Sequence, residues 1–176
     1  MKGTGWRTLA LIVLASVGCG SPAEEAPAEA LAPVGAQSTQ IDQRSYRLGS
    51  IGAFAEMVDA GVKRLALSAP LTATEMDALV HEAERIAGDH NVEIYRETDF
   101  LVTDLFSADL TEGKQVLLIF RGDTRQEYEE LKAEKIRLEG MGEYEGEARR
   151  AVARRFGALL SYSDEKIETL LAQPKE

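Results

Sequence analysis

Gln115-Val116-Leu117-Leu118-Ile119-Phe120 is the stretch on which the fold turns. Successive side chains of a strand point to opposite faces of a sheet. A continuous apolar run of this length therefore predicts a strand buried on both faces, with helices on either side of it. Gly122-Asp123 follows as a turn and a cap for a charged helix running to about Glu139, and Gly140-Met141-Gly142 breaks that helix.

Working upstream, Asn91 to Arg96 (NVEIYR) alternates as a second strand, and Val62 to Ser68 (VKRLALS) reads as a third, closed by Pro70. Helical spacing separates them. Ser50 is placed to cap a helix carrying Ile51, Phe54, Ala55 and Val58, with Gly61 as its stop. Thr72-Ala73-Thr74-Glu75 has the form of a capping box, opening a helix whose apolar stripe is Met76, Leu79, Val80, Ala83, Ile86 and Ala87, with Gly88 at its end. Downstream, residues 146–160 present Ala148, Val152, Phe156, Leu159 and Leu160 on one face. Ser163 caps a last short helix with Ile167, Leu170 and Leu171. This alternation predicts an α/β domain over residues 42–176. A small sheet of three to four strands, the fourth at Phe100 to Phe106, would be packed with four to five helices, leaving residues 173–176 frayed.

The N-terminus has a different character. Lys2 and Arg7 precede the apolar run Leu9-Ala10-Leu11-Ile12-Val13-Leu14-Ala15, which is too short to span a bilayer and suited to the apolar segment of an export signal. Ser16-Val17-Gly18-Cys19 follows, and Cys19 is the only cysteine in the chain. This stretch resembles the lipobox of bacterial prolipoproteins. The resemblance covers about the first 20 residues. It implies cleavage after residue 18, a diacylglycerol on the Cys19 sulfur and a further acyl chain (palmitate) on its new amino end. Two or three acyl chains anchor a protein stably where one does not. With Gly20 rather than aspartate next, the same resemblance implies the outer membrane if the host is Gram-negative. Residues 19–41 are rich in Ala, Pro, Glu and Ser without sustained apolar periodicity, and read as a flexible tether.

Charge and residue usage exclude several functions. The formal net charge is −10, and removing Lys2 and Arg7 with the leader makes it two units more negative. Such a surface repels phosphate backbones and anionic headgroups, so nucleic acid is not an expected partner. Lipidation of the sole cysteine leaves the domain without a thiol, a disulfide or a Cys-ligated metal. His81-Glu82 begins like a HExxH zinc motif, but the position of the second histidine is Arg85. His90 stands just past a helix end, where a cation suits the dipole. Gly49-Ser50-Ile51-Gly52 is compatible with an anion site at a helix start or with a simple cap. Arg149, Arg150, Arg154 and Arg155 spread around their helix, and local acids such as Glu145 and Glu147 suit a solvated face. Arg121-Gly122-Asp123 spells an adhesion tripeptide, which a turn and a cap explain.

In open α/β sheets ligands gather beyond the carboxyl ends of the strands. The residues there are Ser68, Glu97, Asp99, Arg121 and Asp123. The long connection from Thr98 to Gly113 adds Asp104 among apolar residues, an arrangement that suits either a binding loop or a core seal. The sequence thus predicts a lipid-anchored cell-envelope domain, non-enzymatic, binding a small polar ligand or an envelope protein and needing no cofactor. The alternative is an envelope hydrolase or lyase working through the strand-end carboxylates, with a divalent metal as a hard-cation partner.

Overall fold

The computed structural model describes residues 42–106, 109 and 111–173. Cys19, the stretch after it that the sequence reads as a tether, and residues 174–176 lie outside the described residues. The domain runs α1 (Gln43–Asp59), β1 (Leu65–Leu67), α2 (Ala73–Asp77), α3 (Val80–Asp89), β2 (Glu93–Glu97), β3 (Val116–Phe120), α4 (Thr124–Met141), α5 (Gly146–Leu159) and α6 (Asp164–Ala172). It is an α/β fold.

β3 is the central strand, in the order β1-β3-β2, and it pairs antiparallel with both neighbours. All five of its residues are buried. Val116, Leu118 and Phe120 point into a core shared with Tyr128 and Leu131 of α4, Val152 and Phe156 of α5, and Ile167 of α6. Leu117 and Ile119 point the other way, onto Ile51 and Ala55 of α1, Met76 of α2 and Ala83 of α3. The sheet is thus sandwiched between two helical layers, as the unbroken apolar run requires. Full burial of each large apolar side chain stabilises the fold by roughly 1.5–3 kcal/mol.

The helix ends show where local chemistry acts as read and where packing overrides it. Thr72 and Glu75 close their capping box, with the Glu75 N–H on Thr72 Oγ1 (3.3 Å) and the Thr72 N–H on Glu75 Oε2 (2.9 Å). The Thr72 N–H and the Thr72 hydroxyl, which both donate to Glu75 Oε2, and the nearby Arg47 hold the Glu75 carboxyl down at about 2. The helix they open is interrupted, however. A tight turn from the Leu79 N–H to Met76 O separates α2 from α3 and lets both side chains reach the core, raising the helix number to six. Gly88 does not end α3. Asn91 takes the left-handed conformation (φ 53°) beyond it, and the Val92 N–H closes on Ala87 O.

Ser50 lies inside α1 and donates to Tyr46 O, so residues 49–52 form no helix start. Asp42 caps α1 instead, accepting from the N–H groups of Arg44 and Ser45. Asp123 precedes α4 but makes no side-chain cap bond, and Thr124 Oγ1 donates back to Arg121 O. Residues 100–106 form no strand; they are a loop whose Leu101 and Leu105 are buried.

Candidate functional site

Antiparallel pairing divides the residues expected beyond the strand ends. β1 and β2 end on one side of the sheet, beside the start of β3, with Glu97 opposite Val116. β3 ends on the other side, with Phe120 opposite Leu65 and Glu93. Ser68, Glu97 and Asp99 therefore share one end of the sheet, while Arg121 and Asp123 stand at the opposite end. Arg121 holds Asp59 through both its carboxylate and its carbonyl (2.9 Å each).

Each remaining polar group has a local duty. The Ser68 hydroxyl accepts from the Leu117 N–H (2.9 Å) and donates to Ala69 O (3.0 Å), continuing the β1-β3 ladder through a side chain. Glu97 is 3% exposed, and its oxygens accept from Lys132 Nζ (3.1 Å) and the Asp99 N–H (2.7 Å). Burial draws the Lys132 amine down, but the hydrogen bond and charge of Glu97, with help from Asp99, outweigh it and hold the amine above the usual lysine value. Asp99 itself is 87% exposed. Burial, aided by Glu97 and opposed by the Leu101 amide, pushes the Tyr128 hydroxyl far up; that hydroxyl accepts from the Leu101 N–H at 2.9 Å. Asp104 receives Arg149 in a forked pair. The other three arginines of α5 pair with Glu168, Glu147 and Glu134, giving the solvated ionic face expected of them. His81 stands 91% exposed beside Glu84. Among the described residues, no group of three or more His, Cys, Asp and Glu is arranged to hold a metal ion.

A largely apolar concavity lies elsewhere, along the free edge of β1. The Ser68 N–H donates to Leu117 O. By the alternation of an antiparallel ladder, the peptide groups of Leu67 then point away from β3, toward the open edge. A cavity of about 460 Å³ runs there. Phe54 of α1 closes one side. Ala66, Leu67 and Ser68 form the floor with Val116. Phe100 and Phe106 close the far side; both rings pack on Phe156 at centroid distances of 5.7 and 6.0 Å. The long 98–113 connection thus seals the core, as the acid-and-apolar alternation allowed, and also supplies a cavity wall.

Among the described lining residues the one cation, Lys63, enters where α5 ends. Ser161 adopts the left-handed conformation (φ 60°), which costs a non-glycine residue about 1–2 kcal/mol. Its hydroxyl accepts the Arg64 N–H (2.9 Å), tying this turn to the start of β1. The turn presents Leu160 and Tyr162 to the cavity. Lys63 Nζ donates to Leu160 O (2.9 Å) and lies 5.3 Å from the centre of the Tyr162 ring. Burial pulls the Lys63 amine below the usual lysine value. At about 460 Å³, with a mainly hydrophobic and aromatic lining and few polar groups, the cavity has the dimensions and chemistry of a small-molecule site.

Of the candidate residues read from the sequence, Ser68 alone lines this cavity, and the 98–113 connection contributes to its wall; the rest of the site was not foreseen. Phe54, Phe100 and Phe106 were visible as apolar positions, but nothing local tied them to Lys63 or Tyr162. No family model, curated protein or solved structure matches the chain.

Proposed function

We propose that this chain is an exported, lipid-anchored binding protein of the cell envelope, holding a small and largely apolar ligand in the β1-edge cavity. The cavity carries this reading. Its aromatic walls offer an apolar body somewhere to leave water, at about 25 cal/mol per Å² of apolar surface covered. The expected polar site is divided, because Arg121 and Asp123 stand at the far end of the sheet and Glu97 and Asp104 are engaged in ion pairs; the concavity of about 620 Å³ beside Asp99 is lined mainly by polar and charged residues and offers an apolar body less. The anchor would keep the domain beside a membrane, and the Ala/Pro/Glu stretch would give it reach.

Both halves can be tested. Mass analysis of the protein extracted from host membranes should find diacylglyceryl-modified Cys19 at the amino end; an unmodified thiol refutes the anchor. Among the described residues, both cores and the apolar groups packed on them come from residues 48–171, so a fragment beginning at Asp42 carries all of them. An uncharged naphthylamine dye should bind that fragment saturably with enhanced fluorescence. Leu67→Trp, which fills the cavity, should abolish the enhancement while leaving the far-ultraviolet dichroism unchanged. Dye binding that ignores this substitution refutes the cavity as the site.

A further inference from the structure

We propose that the β1 cavity takes a single-chain fatty carboxylate, with its acid on Lys63 and its hydrocarbon along Leu67, Phe100 and Phe106. This rests on the cavity being a binding site at all, and adds the ligand's class.

Size comes first. A buried heavy atom with its hydrogens fills a volume comparable to a water molecule's share of the liquid, about 30 Å³. About 460 Å³ then holds about fifteen such atoms, enough for one chain of medium length with its head but not for a two-chain membrane lipid.

The direction of the cavity is the second observation. Lys63, Leu160 and Tyr162 meet at the start of β1, as the bonds from Lys63 to Leu160 O and from Arg64 to Ser161 fix. Val116, at the start of β3, and the aromatic pair of the 98–113 connection lie toward the end of β1. The cavity is therefore cationic at one end and hydrocarbon-like along the rest, the polarity of an anionic amphiphile.

Charge is the third. Among the described residues no carboxylate lies within ion-pair distance of Lys63, although the chain carries 30 acidic residues against 20 basic ones. The amine faces a carbonyl and an aromatic ring instead. An incoming carboxylate would supply the missing counter-charge in partly dehydrated surroundings, where a charge-assisted hydrogen bond is short and strong.

The test compares decanoate, decanol and decyltrimethylammonium on the fragment from Asp42, by calorimetry and by dye displacement. Decanoate should bind about tenfold or more tighter than decanol, the scale of one charge-assisted hydrogen bond. The ammonium compound should bind more weakly than either. Lys63→Met should bring decanoate down to the level of decanol without weakening decanol. In the unmodified fragment, the Lys63 amine should titrate at higher pH once decanoate is bound, as its NMR resonance would report. Equal binding of acid and alcohol, or a preference that survives Lys63→Met, overturns the carboxylate assignment and leaves the cavity reading standing. Failure of all three chains to bind refutes both.

Discussion

Replacing Lys132 by methionine should be among the most damaging single changes in the domain, and a double-mutant cycle with Glu97→Gln can show why. The two charges lie 3.1 Å apart, with side-chain exposures of 14% and 3%. Coulomb's law at an effective dielectric constant near 20 gives about 5 kcal/mol of attraction at that separation, set against several kcal/mol for dehydrating each ion. The net value of the pair is therefore small, but loss of one member is not. In Lys132→Met the Glu97 carboxylate loses its counter-charge and keeps only neutral partners such as the Asp99 N–H, and the expected cost is about 3–5 kcal/mol. Glu97→Gln should cost less, about 2 kcal/mol, because the freed amine still has the exposed Asp99 carboxylate at 3.4 Å. The double variant should recover about 2 kcal/mol of the summed losses, since no uncompensated charge remains inside. Urea melts of the four proteins at neutral pH measure this directly. If the two single effects simply add, the pair is uncoupled and the assignment of Lys132 as the counter-charge of Glu97 is wrong.

Further tests separate packing from charge. A Cβ at Gly157 would stand 2.6 and 2.8 Å from side-chain atoms of buried Ile167, whereas one at Gly140 meets nothing within 4 Å. Gly140→Ala should raise stability by about 0.5–1 kcal/mol, and Gly157→Ala should lower it by about 1 kcal/mol once the clash outweighs the helix gain; thermal melts will show opposite shifts. Folded-state values for Tyr128 and Lys132 are raised, so their contributions are complete below the ordinary values of 10.0 and 10.5 and decline as pH climbs past them. Denaturant midpoints should therefore fall above pH 10, and less steeply in Tyr128→Phe, which starts about 1–2 kcal/mol lower for leaving the Leu101 N–H unpaired. Glu75 is lowered, so its contribution is present above 4.5 and lost as pH falls toward 2; Glu75→Gln should flatten the acid limb of the stability profile over that window.

Much of the architecture was legible in the chain because it is encoded by neighbours. Residues 115–120 announced a strand covered on both faces, and Thr72 with Glu75 announced a helix start, because side-chain direction and backbone capping are decided within a few residues. The misreadings arose where distant packing competed. No glycine or proline marks the break at Leu79; it serves the simultaneous burial of Met76 and Leu79. Ser50 looked like a cap, but Asp42 had already started the helix about two turns upstream.

Periodicity by itself therefore determined the α/β class, the central strand with both faces covered and most of the buried stripe of each helix, but not every helix end or the loop at residues 100–106. Only the tertiary structure decided that β3 runs against both neighbours, separating Arg121 from Glu97, and that Phe54, Lys63, Phe106 and Tyr162 enclose one cavity. A strand's hydrophobic pattern says which faces are covered but reads alike in either direction. Pairing direction and cavity walls depend on contacts between residues far apart in the chain, and these have no signature in any short stretch of it.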